Sequence, residues 1–144
     1  MAQQSPCTFA SFVMGYVQGG LHGQMQRFLS DNDNCYIEFP RGHGKTGQMI
    51  LRVAWQIGVD PSARIKYVQQ SEAEAKKTTG LIKQVIESDE YQRVFPEVVP
   101  DPECWGKSEF KVKSERWQRD ATVEASSIFG RAGGRADILI ADDI

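Results

Sequence analysis

The chain has 144 residues, and its 17 Lys and Arg against 19 Asp and Glu give a formal charge of −2. A chain of this length buries roughly two-thirds of its unfolded surface, so we expect a single hydrophobic core. The near-neutral charge excludes a histone-like polycation, and any contact with nucleic acid must come from a local basic patch. No apolar run approaches the roughly 20 residues of a membrane helix, and residues 1–6 lack the basic segment of a secretory signal.

Three widely spaced cysteines, Cys7, Cys35 and Cys104, include no Cys-x-x-Cys pair. Their odd number and their spacing argue against a disulfide scaffold and against a zinc site. Cys35 begins an apolar segment and is expected to be a small buried side chain. The cysteine usage therefore indicates a reducing, cytosolic compartment.

Residues 1–30 are predicted to form a helical lead-in. Apolar side chains recur at helical spacing over residues 9–17, stop at Gly19 and Gly20, and resume over residues 21–29. The Asn- and Asp-rich residues that follow are typical of a turn. We therefore predict a second unit over residues 31–144.

Strands and helices are predicted to alternate from residue 35 onward. The predicted elements are a strand at 35–39, a helix at 46–57, a strand at 64–69, a helix that begins at the capping box of residues 71–74, and a short helix at 89–95. Residues 98–105 contain two prolines and are predicted to be a loop. Further strands are predicted at 109–113, 121–126 and 138–141, the last after a glycine-rich turn at 130–135.

This order of elements indicates an α/β fold with a mostly parallel sheet flanked by helices. The chain ends at Ile144, directly after an apolar strand and two aspartates. A domain rarely ends on a strand that no helix covers. We therefore expect the sheet to be incomplete at its C-terminal end and the chain to be a piece of a larger protein.

The strongest functional pattern is Pro-Arg-Gly-His-Gly-Lys-Thr at residues 40–46, between a predicted strand and a predicted helix. Glycines let the backbone approach a polyphosphate, and the helix N-terminus adds a partial positive charge. In this interpretation Lys45 reaches the β- and γ-phosphates and the Thr46 hydroxyl ligates Mg²⁺. Phe39 stands where the usual pattern has its first glycine, so the loop is a variant in which Gly42 supplies the flexibility. The alternative is a glycine-rich turn with an accidental Gly-Lys-Thr, which the flanking elements disfavour.

A second pattern, residues 137–143, is an apolar run that ends in Asp142 and Asp143. A buried central strand delivers acidic groups to the carboxyl end of a parallel sheet in this way. Asp142 would hold Mg²⁺ through water, and Asp143 would orient or deprotonate an attacking water. A surface pair of aspartates that caps a strand is the alternative, but the phosphate loop upstream favours the functional interpretation.

Three arginines are candidates to neutralise the charge that develops on a transferred phosphoryl group. Arg131 and Arg135 lie in the glycine-rich turn, and Arg41 lies in the phosphate loop itself. Structural pairing with Asp137 or with a neighbour of Asp142 is an equally good explanation for each of them.

A basic segment surrounds two aromatic residues, Phe110 and Trp117. Its members are Lys107, Lys111, Lys113, Arg116 and Arg119. The combination is compatible with a nucleic-acid contact in which an aromatic ring stacks on a base. Lysines that protect an exposed strand edge from pairing explain the segment equally well, and we favour that explanation.

In combination these residues resemble the N-terminal ATPase domain of phage terminase large subunits, the motors that package viral DNA. The resemblance covers most of residues 20–144. Residues 40–46 are similar to that family's form of the phosphate loop, which tolerates a residue other than glycine at the position of Phe39. Residues 21–29 resemble the family's upstream helix, which contains its adenine-contacting segment. Residues 95–97 resemble a recurrent mid-domain element of the family. Residues 134–144 resemble the segment that leads into its second ATPase motif.

The resemblance implies a P-loop NTPase fold and an ATPase that uses ATP and Mg²⁺ to translocate double-stranded viral DNA into a procapsid. It also implies a homo-oligomeric ring on the portal protein, a small terminase subunit as a partner, no membrane contact, and the cytoplasm of an infected bacterial host. A coupling motif and a nuclease domain are expected beyond residue 144. Relatives often have glutamate at the position of Asp143.

The candidate site residues fall into three groups. The nucleotide-binding group is Arg41, Gly42, His43, Gly44, Lys45, Thr46 and, in the adenine-contacting segment, Gln24. The metal-binding pair is Thr46 and Asp142, and the catalytic group is Lys45, Asp143, Arg41, Arg131 and Arg135. His43, a single histidine in the loop, is given no catalytic role.

Two other functions are compatible with the sequence. The first is a non-catalytic module that binds nucleotide or DNA. The second is another P-loop ATPase or a helicase-like protein, although no substrate-specific motif beyond the loop and the acid pair supports it.

Overall fold

The computed structural model describes residues 1–130 and 133–144. The helices are α1 (Pro6–Val13), α2 (Gly20–Asp31), α3 (Lys45–Val59), α4 (Glu72–Glu87) and α5 (Asp89–Val94), and the strands are β1 (Ile65–Gln69), β2 (Pro100–Trp105), β3 (Glu109–Val112), β4 (Val123–Ser127) and β5 (Ile138–Ala141). No helix within these residues is long and apolar enough to cross a membrane.

The strands form one mixed sheet in the order β2-β3-β4-β1-β5. β1 is parallel to β4 and to β5, whereas β3 is antiparallel to both β2 and β4. The predicted α/β class is confirmed, but the prediction of a mostly parallel sheet is wrong. The reason lies in the connections, because no helix separates β2, β3 and β4 along the chain and parallel pairing needs a long crossover.

Two local predictions are also wrong. Residues 100–105, predicted to be a loop, form the edge strand β2. Prolines are tolerated there because one side of the strand has no partner among the residues that the structure describes. Residues 35–39, predicted to be a strand, pair with no other strand in the described part of the chain. β-type side chains favour a strand only where a neighbouring strand packs beside them. Cys35, expected to be buried, is consequently exposed.

Helices α2 to α5 form where the sequence patterns predict them, whereas α1 ends at Val13, before the end of the apolar spacing predicted over residues 9–17. α3 buries an apolar face that includes Leu51, Val53 and Ile57. α4 begins at the predicted cap, where the Ser71 hydroxyl accepts a hydrogen bond from the backbone N–H of Glu74 at 3.2 Å. The lead-in over residues 1–30 consists of α1 and most of α2, and Phe9 of α1 is fully buried in the same core as α3 and the sheet.

An aromatic cluster connects α1 to the segment around α5. The Phe9 ring centroid lies 5.8 Å from that of Tyr91 and 5.9 Å from that of Phe95. Phe95 packs directly against the backbone of Gly58 near the end of α3, so closely that a Cβ atom at this position would overlap the ring. The absence of a side chain at Gly58 therefore sets how closely α3 and the aromatic cluster approach each other.

We predict that Gly58→Ala lowers the free energy of unfolding by about 1–3 kcal/mol, because the added methyl group must displace a buried ring. Gly80→Ala is the matched control. Gly80 also lies within a helix, but its added methyl group would meet no atom within 4 Å. That variant should gain up to about 1 kcal/mol by restricting the unfolded chain. Urea unfolding of both variants measures the difference, and equal stabilities would contradict the packing of Phe95 on Gly58.

Candidate functional site

The two sequence patterns meet at the carboxyl end of β5. The Thr46 hydroxyl, in the first turn of α3, donates a hydrogen bond of 2.9 Å to Oδ2 of Asp142, which follows β5. The two residues are 96 positions apart in the chain. Asp142 is only 4% exposed, and its backbone N–H donates to the carbonyl of Val68 at 2.9 Å, which continues the pairing of β5 with β1.

A third residue, Tyr67 of β1, completes this cluster. Its hydroxyl donates a hydrogen bond of 2.8 Å to the same Oδ2 atom of Asp142, and its side chain is fully buried. Burial raises the pKa of Tyr67 above its ordinary value, and the nearby Asp142 carboxylate raises it further, so the phenol remains a protonated donor. The buried carboxylate thus accepts two hydrogen bonds from side chains.

Sequence reasoning missed Tyr67. The available signal was the alternation in β1, which buries Ile65, Tyr67 and Gln69 on one face. A buried tyrosine normally finds a hydrogen-bond partner for its hydroxyl. The sequence could not show that this partner is Asp142, because the pairing of β1 with β5 depends on the fold.

The backbone of the glycine-rich loop, residues 40–46, is bent at two glycines. Gly42 has φ 80° and Gly44, which caps α3, has φ 72°. Both angles lie in the left-handed region that side chains disfavour, and this conformation explains why glycine stands at these positions. Arg41 and His43 are exposed in the loop and Lys45 is partly exposed, so all three are accessible to a ligand.

A cavity of about 390 Å³ lies beside the loop. Its lining includes Tyr16, Gln18, His22, Gly44 and Gln48. Two of the lining residues, Gln18 and Gln48, form a reciprocal pair. The side-chain amide of Gln48 donates a hydrogen bond of 2.7 Å to that of Gln18 and accepts one of 3.0 Å from it. A ring nitrogen of His22 lies 2.9 Å from the carbonyl oxygen of His43, and its other ring nitrogen, Nδ1, is buried with no hydrogen-bond partner in the described part of the chain.

Gln24, predicted to contact adenine, is exposed on α2 and does not line this cavity. Two positions further along, Gln26 is the residue that points toward α3. It is 1% exposed and donates hydrogen bonds of 3.1 Å to the backbone and side-chain oxygens of Gln48. The helical pattern predicted α2 but did not distinguish which of its glutamines faces the loop.

Of the two described arginine candidates, Arg135 lies away from this site. Arg135 precedes β5, and its backbone N–H lies 3.4 Å from Oδ2 of Asp120, which precedes β4. It therefore lies at the amino end of the parallel strands. The four residues of β5, which span about 13 Å, separate this end from Asp142 at the other. Arg131 lies outside the described residues. Of the two described candidates, only Arg41 is close to the loop, because it is part of it.

Asp137, proposed as a structural partner for the candidate arginines, is held by Arg64 instead. Two nitrogen atoms of the Arg64 guanidinium lie 2.8 and 3.0 Å from the two carboxylate oxygens, in a bidentate pair. Asp120 is a second, longer partner of the same guanidinium at 3.8 Å. Arg64 and Asp137 stand directly before β1 and β5, so their contact joins the amino ends of these two strands.

The geometry brings together a set of oxygen atoms that fits Mg²⁺. A threonine hydroxyl and a carboxylate are the hard ligands that Mg²⁺ prefers, and Mg²⁺ commonly takes only one or two of them from a protein, with water and substrate phosphates as the rest. Within residues 1–130 and 133–144 no group of three or more His, Cys, Asp or Glu side chains is placed to hold a metal ion. Asp143 follows Asp142 immediately, is exposed, and has φ 53°.

Comparisons with known proteins add no identification. No protein-family description matches the chain, and no curated protein matches it significantly. The functional assignment of the site therefore depends on its residues and their geometry.

We predict that Tyr67→Phe lowers the free energy of unfolding by about 1.5–3 kcal/mol, because a buried carboxylate loses a donor. Tyr91→Phe is the matched control: Tyr91 is also fully buried, and its hydroxyl donates to the neutral carbonyl of Ala54 at 2.9 Å. The destabilisation of this variant should be smaller, about 0.5–1.5 kcal/mol. Urea unfolding distinguishes the two variants, and a smaller destabilisation for Tyr67→Phe would argue against the hydrogen bond to Asp142.

The Arg64–Asp137 pair predicts a dependence of stability on pH. Hydrogen bonds from Arg64 lower the pKa of Asp137 from 3.8 to about 2 in the folded protein. The pair therefore stabilises the fold fully above about pH 4, and this contribution disappears as the pH falls toward 2. Comparison of the parent chain with Asp137→Asn by urea unfolding should show a stability difference that shrinks over this interval. A difference that does not change with pH would contradict the prediction.

Proposed function

We propose that this chain is the ATP-binding and ATP-hydrolysing part of a viral DNA-packaging motor of the terminase large subunit type. The observation that carries this proposal is the 2.9 Å hydrogen bond between Thr46 and Asp142. It joins a glycine-rich loop at a helix N-terminus to an acidic strand end, which are two of the parts of a nucleotide-hydrolysing site of the P-loop kind. The third part, a paired strand directly before the loop, is not formed by residues 35–39 within the part of the chain that the structure describes.

Each residue of the loop has a defined task in this proposal. The exposed backbone of residues 41–44 offers N–H groups to the phosphate oxygens, and the N-terminus of α3 adds partial positive charge. The Lys45 ammonium group binds the β- and γ-phosphates. Thr46 and Asp142 would hold Mg²⁺, which when bound neutralises charge on the phosphate oxygens.

The hydrolysis step itself is assigned to a water molecule and Asp143. Water attacks the γ-phosphorus as the bond to the β–γ bridging oxygen breaks, which gives ADP and inorganic phosphate. Asp143 orients this water and accepts its proton. Its exposed position directly after the buried Asp142 supports the assignment, because one carboxylate then stays at the metal while its neighbour faces solvent.

The partners of the proposed motor follow from the resemblance of the loop, the upstream helix and the acid pair to terminase large subunits. They are double-stranded viral DNA, the portal protein and a small terminase subunit, and the motor subunits form a homo-oligomeric ring without membrane contact. The place of action is the cytoplasm of the infected bacterial host.

A second candidate function, nucleotide binding without turnover, is favoured by the position of Arg135. This residue lies at the amino ends of the parallel strands, away from Thr46 and Asp142. An arginine at the transferred phosphoryl group contributes strongly to hydrolysis. Arg41 is the described candidate that lies in the loop. A site in which Arg41 does not reach the γ-phosphate would bind ATP and turn it over slowly.

We predict that Lys45→Ala weakens ATP binding about 10- to 150-fold, because the phosphates lose a charged hydrogen-bond donor. Lys77→Ala is the control, since Lys77 is an exposed lysine on α4. Isothermal titration calorimetry with ATP measures both affinities. Unchanged affinity in Lys45→Ala would refute the assignment of the loop.

Turnover distinguishes the two candidate functions. ATP hydrolysis is measured with and without double-stranded DNA, using Lys45→Ala as the background. ATP turnover that depends on Lys45 excludes nucleotide binding without hydrolysis as the function. Tight ATP binding with no turnover, both with and without double-stranded DNA, excludes ATP hydrolysis as the function of this chain.

A further inference from the structure

The connection between β3 and β4 carries a concentration of positive charge. Residues 107–119 contain five basic and two acidic residues, although the whole chain has a charge of −2. We call residues 113–119 the basic loop. It contains Lys113, Arg116, Trp117 and Arg119, all of them exposed.

The topology removes the explanation that we favoured from the sequence. β3 lies between β2 and β4 inside the sheet, and the strands at the two edges are β2 and β5. Lys111 of β3 therefore does not protect an exposed strand edge, and Lys107 and Lys113 flank this same inner strand. Phe110 is fully buried in the core, so of the two aromatic residues only Trp117 remains available to a ligand.

The basic side chains of the loop form no salt bridge in the described part of the chain. The salt bridges there involve Arg64, Lys66, Lys76 and Lys77. Lys113, Arg116 and Arg119 are therefore accessible to anions. Charged side chains of this kind bind phosphate groups strongly, and arginine does so through two parallel hydrogen bonds.

Trp117 lies among these charges with 90% of its surface exposed. Two hydrogen bonds within the surrounding segment hold the loop. The Ser114 hydroxyl donates to the backbone carbonyl of Arg116 at 3.0 Å, and the Lys111 ammonium group donates to the backbone carbonyl of Gln118 at 3.4 Å. An exposed indole ring beside exposed cations offers both a flat surface for stacking and charge for a phosphate backbone.

We propose that the basic loop binds a single-stranded segment of a polynucleotide. Trp117 stacks on an unpaired base, while Lys113, Arg116 and Arg119 pair with neighbouring phosphates. A single strand is the ligand that fits, because the face of a base is available for stacking only where the base is unpaired. Stacking of this kind does not depend on sequence, since every base has a π-face.

This surface is separate from the nucleotide site. The basic loop follows β3 and precedes β4, which places it at the amino ends of the parallel strands, whereas Asp142 lies at their carboxyl ends. Binding of a single strand therefore does not require bound ATP. Lys45→Ala should bind a polynucleotide as the parent chain does, so failure of one proposal does not imply failure of the other.

The test is fluorescence anisotropy with a labelled oligo-dT of about 15 nucleotides and a duplex of the same length. Trp117→Ala should weaken oligo-dT binding about 5- to 150-fold and leave duplex binding nearly unchanged. The double variant R116A/R119A should weaken the binding of both oligo-dT and the duplex. It should also make oligo-dT binding less sensitive to salt: the slope of log affinity against log salt concentration should fall by about 0.7 for each phosphate that is no longer neutralised. The matched control is K76A/K77A on α4, which removes the same charge elsewhere and should bind like the parent.

Three results would overturn the proposal. The first is no binding of oligo-dT at low salt, and the second is parent-like affinity in Trp117→Ala. The third is competition by polyglutamate as effective as that by unlabelled oligo-dT, which would identify the partner as an acidic protein surface. Because the substituted residues are exposed or, in the case of Lys76, partly exposed, circular dichroism should show that all variants keep the parent fold.

Discussion

The buried carboxylate of Asp142 is the constraint on which the site depends. A carboxylate that is removed from water must accept hydrogen bonds, or its burial costs several kcal/mol or more. Asp142 is satisfied by Thr46 from α3 and by Tyr67 from β1, both on the same oxygen atom. These bonds place the first turn of α3, and with it the glycine-rich loop, at the carboxyl end of β5.

A second charged interaction fixes the other end of the same strand. Arg64 and Asp137 join the amino ends of β1 and β5, and Asp142 is held at the carboxyl end. β5, predicted to be a buried central strand, is instead a short strand at the edge of the sheet. Within the described residues it has a neighbour on one side only. Polar interactions at both of its ends therefore determine where its terminal carboxylate lies. The same arrangement separates two surfaces, with the phosphate loop at the carboxyl ends and the basic loop at the amino ends of the parallel strands.

Local patterns predicted what depends on local interactions. The apolar face of α3 and the Ser71 cap of α4 appear where periodicity and capping chemistry place them, and β1, β3, β4 and β5 match the predicted strands within about two residues. The meeting of Thr46 with Asp142 was also expected from the two motifs. Features that depend on strand neighbours were not predictable: the unpaired residues 35–39, the proline-containing edge strand β2, and the hydrogen bond of Tyr67 to Asp142.

In the proposed nucleotide site, Thr46 and Asp142 act together on a magnesium ion that accompanies bound ATP. The most direct measurement is ATP affinity as a function of Mg²⁺ concentration, in the parent chain and in Asp142→Asn, which has nearly the same shape without the charge. We predict that Mg²⁺ tightens ATP binding in the parent chain and that this effect disappears in Asp142→Asn. An equal response to Mg²⁺ in both proteins would contradict it.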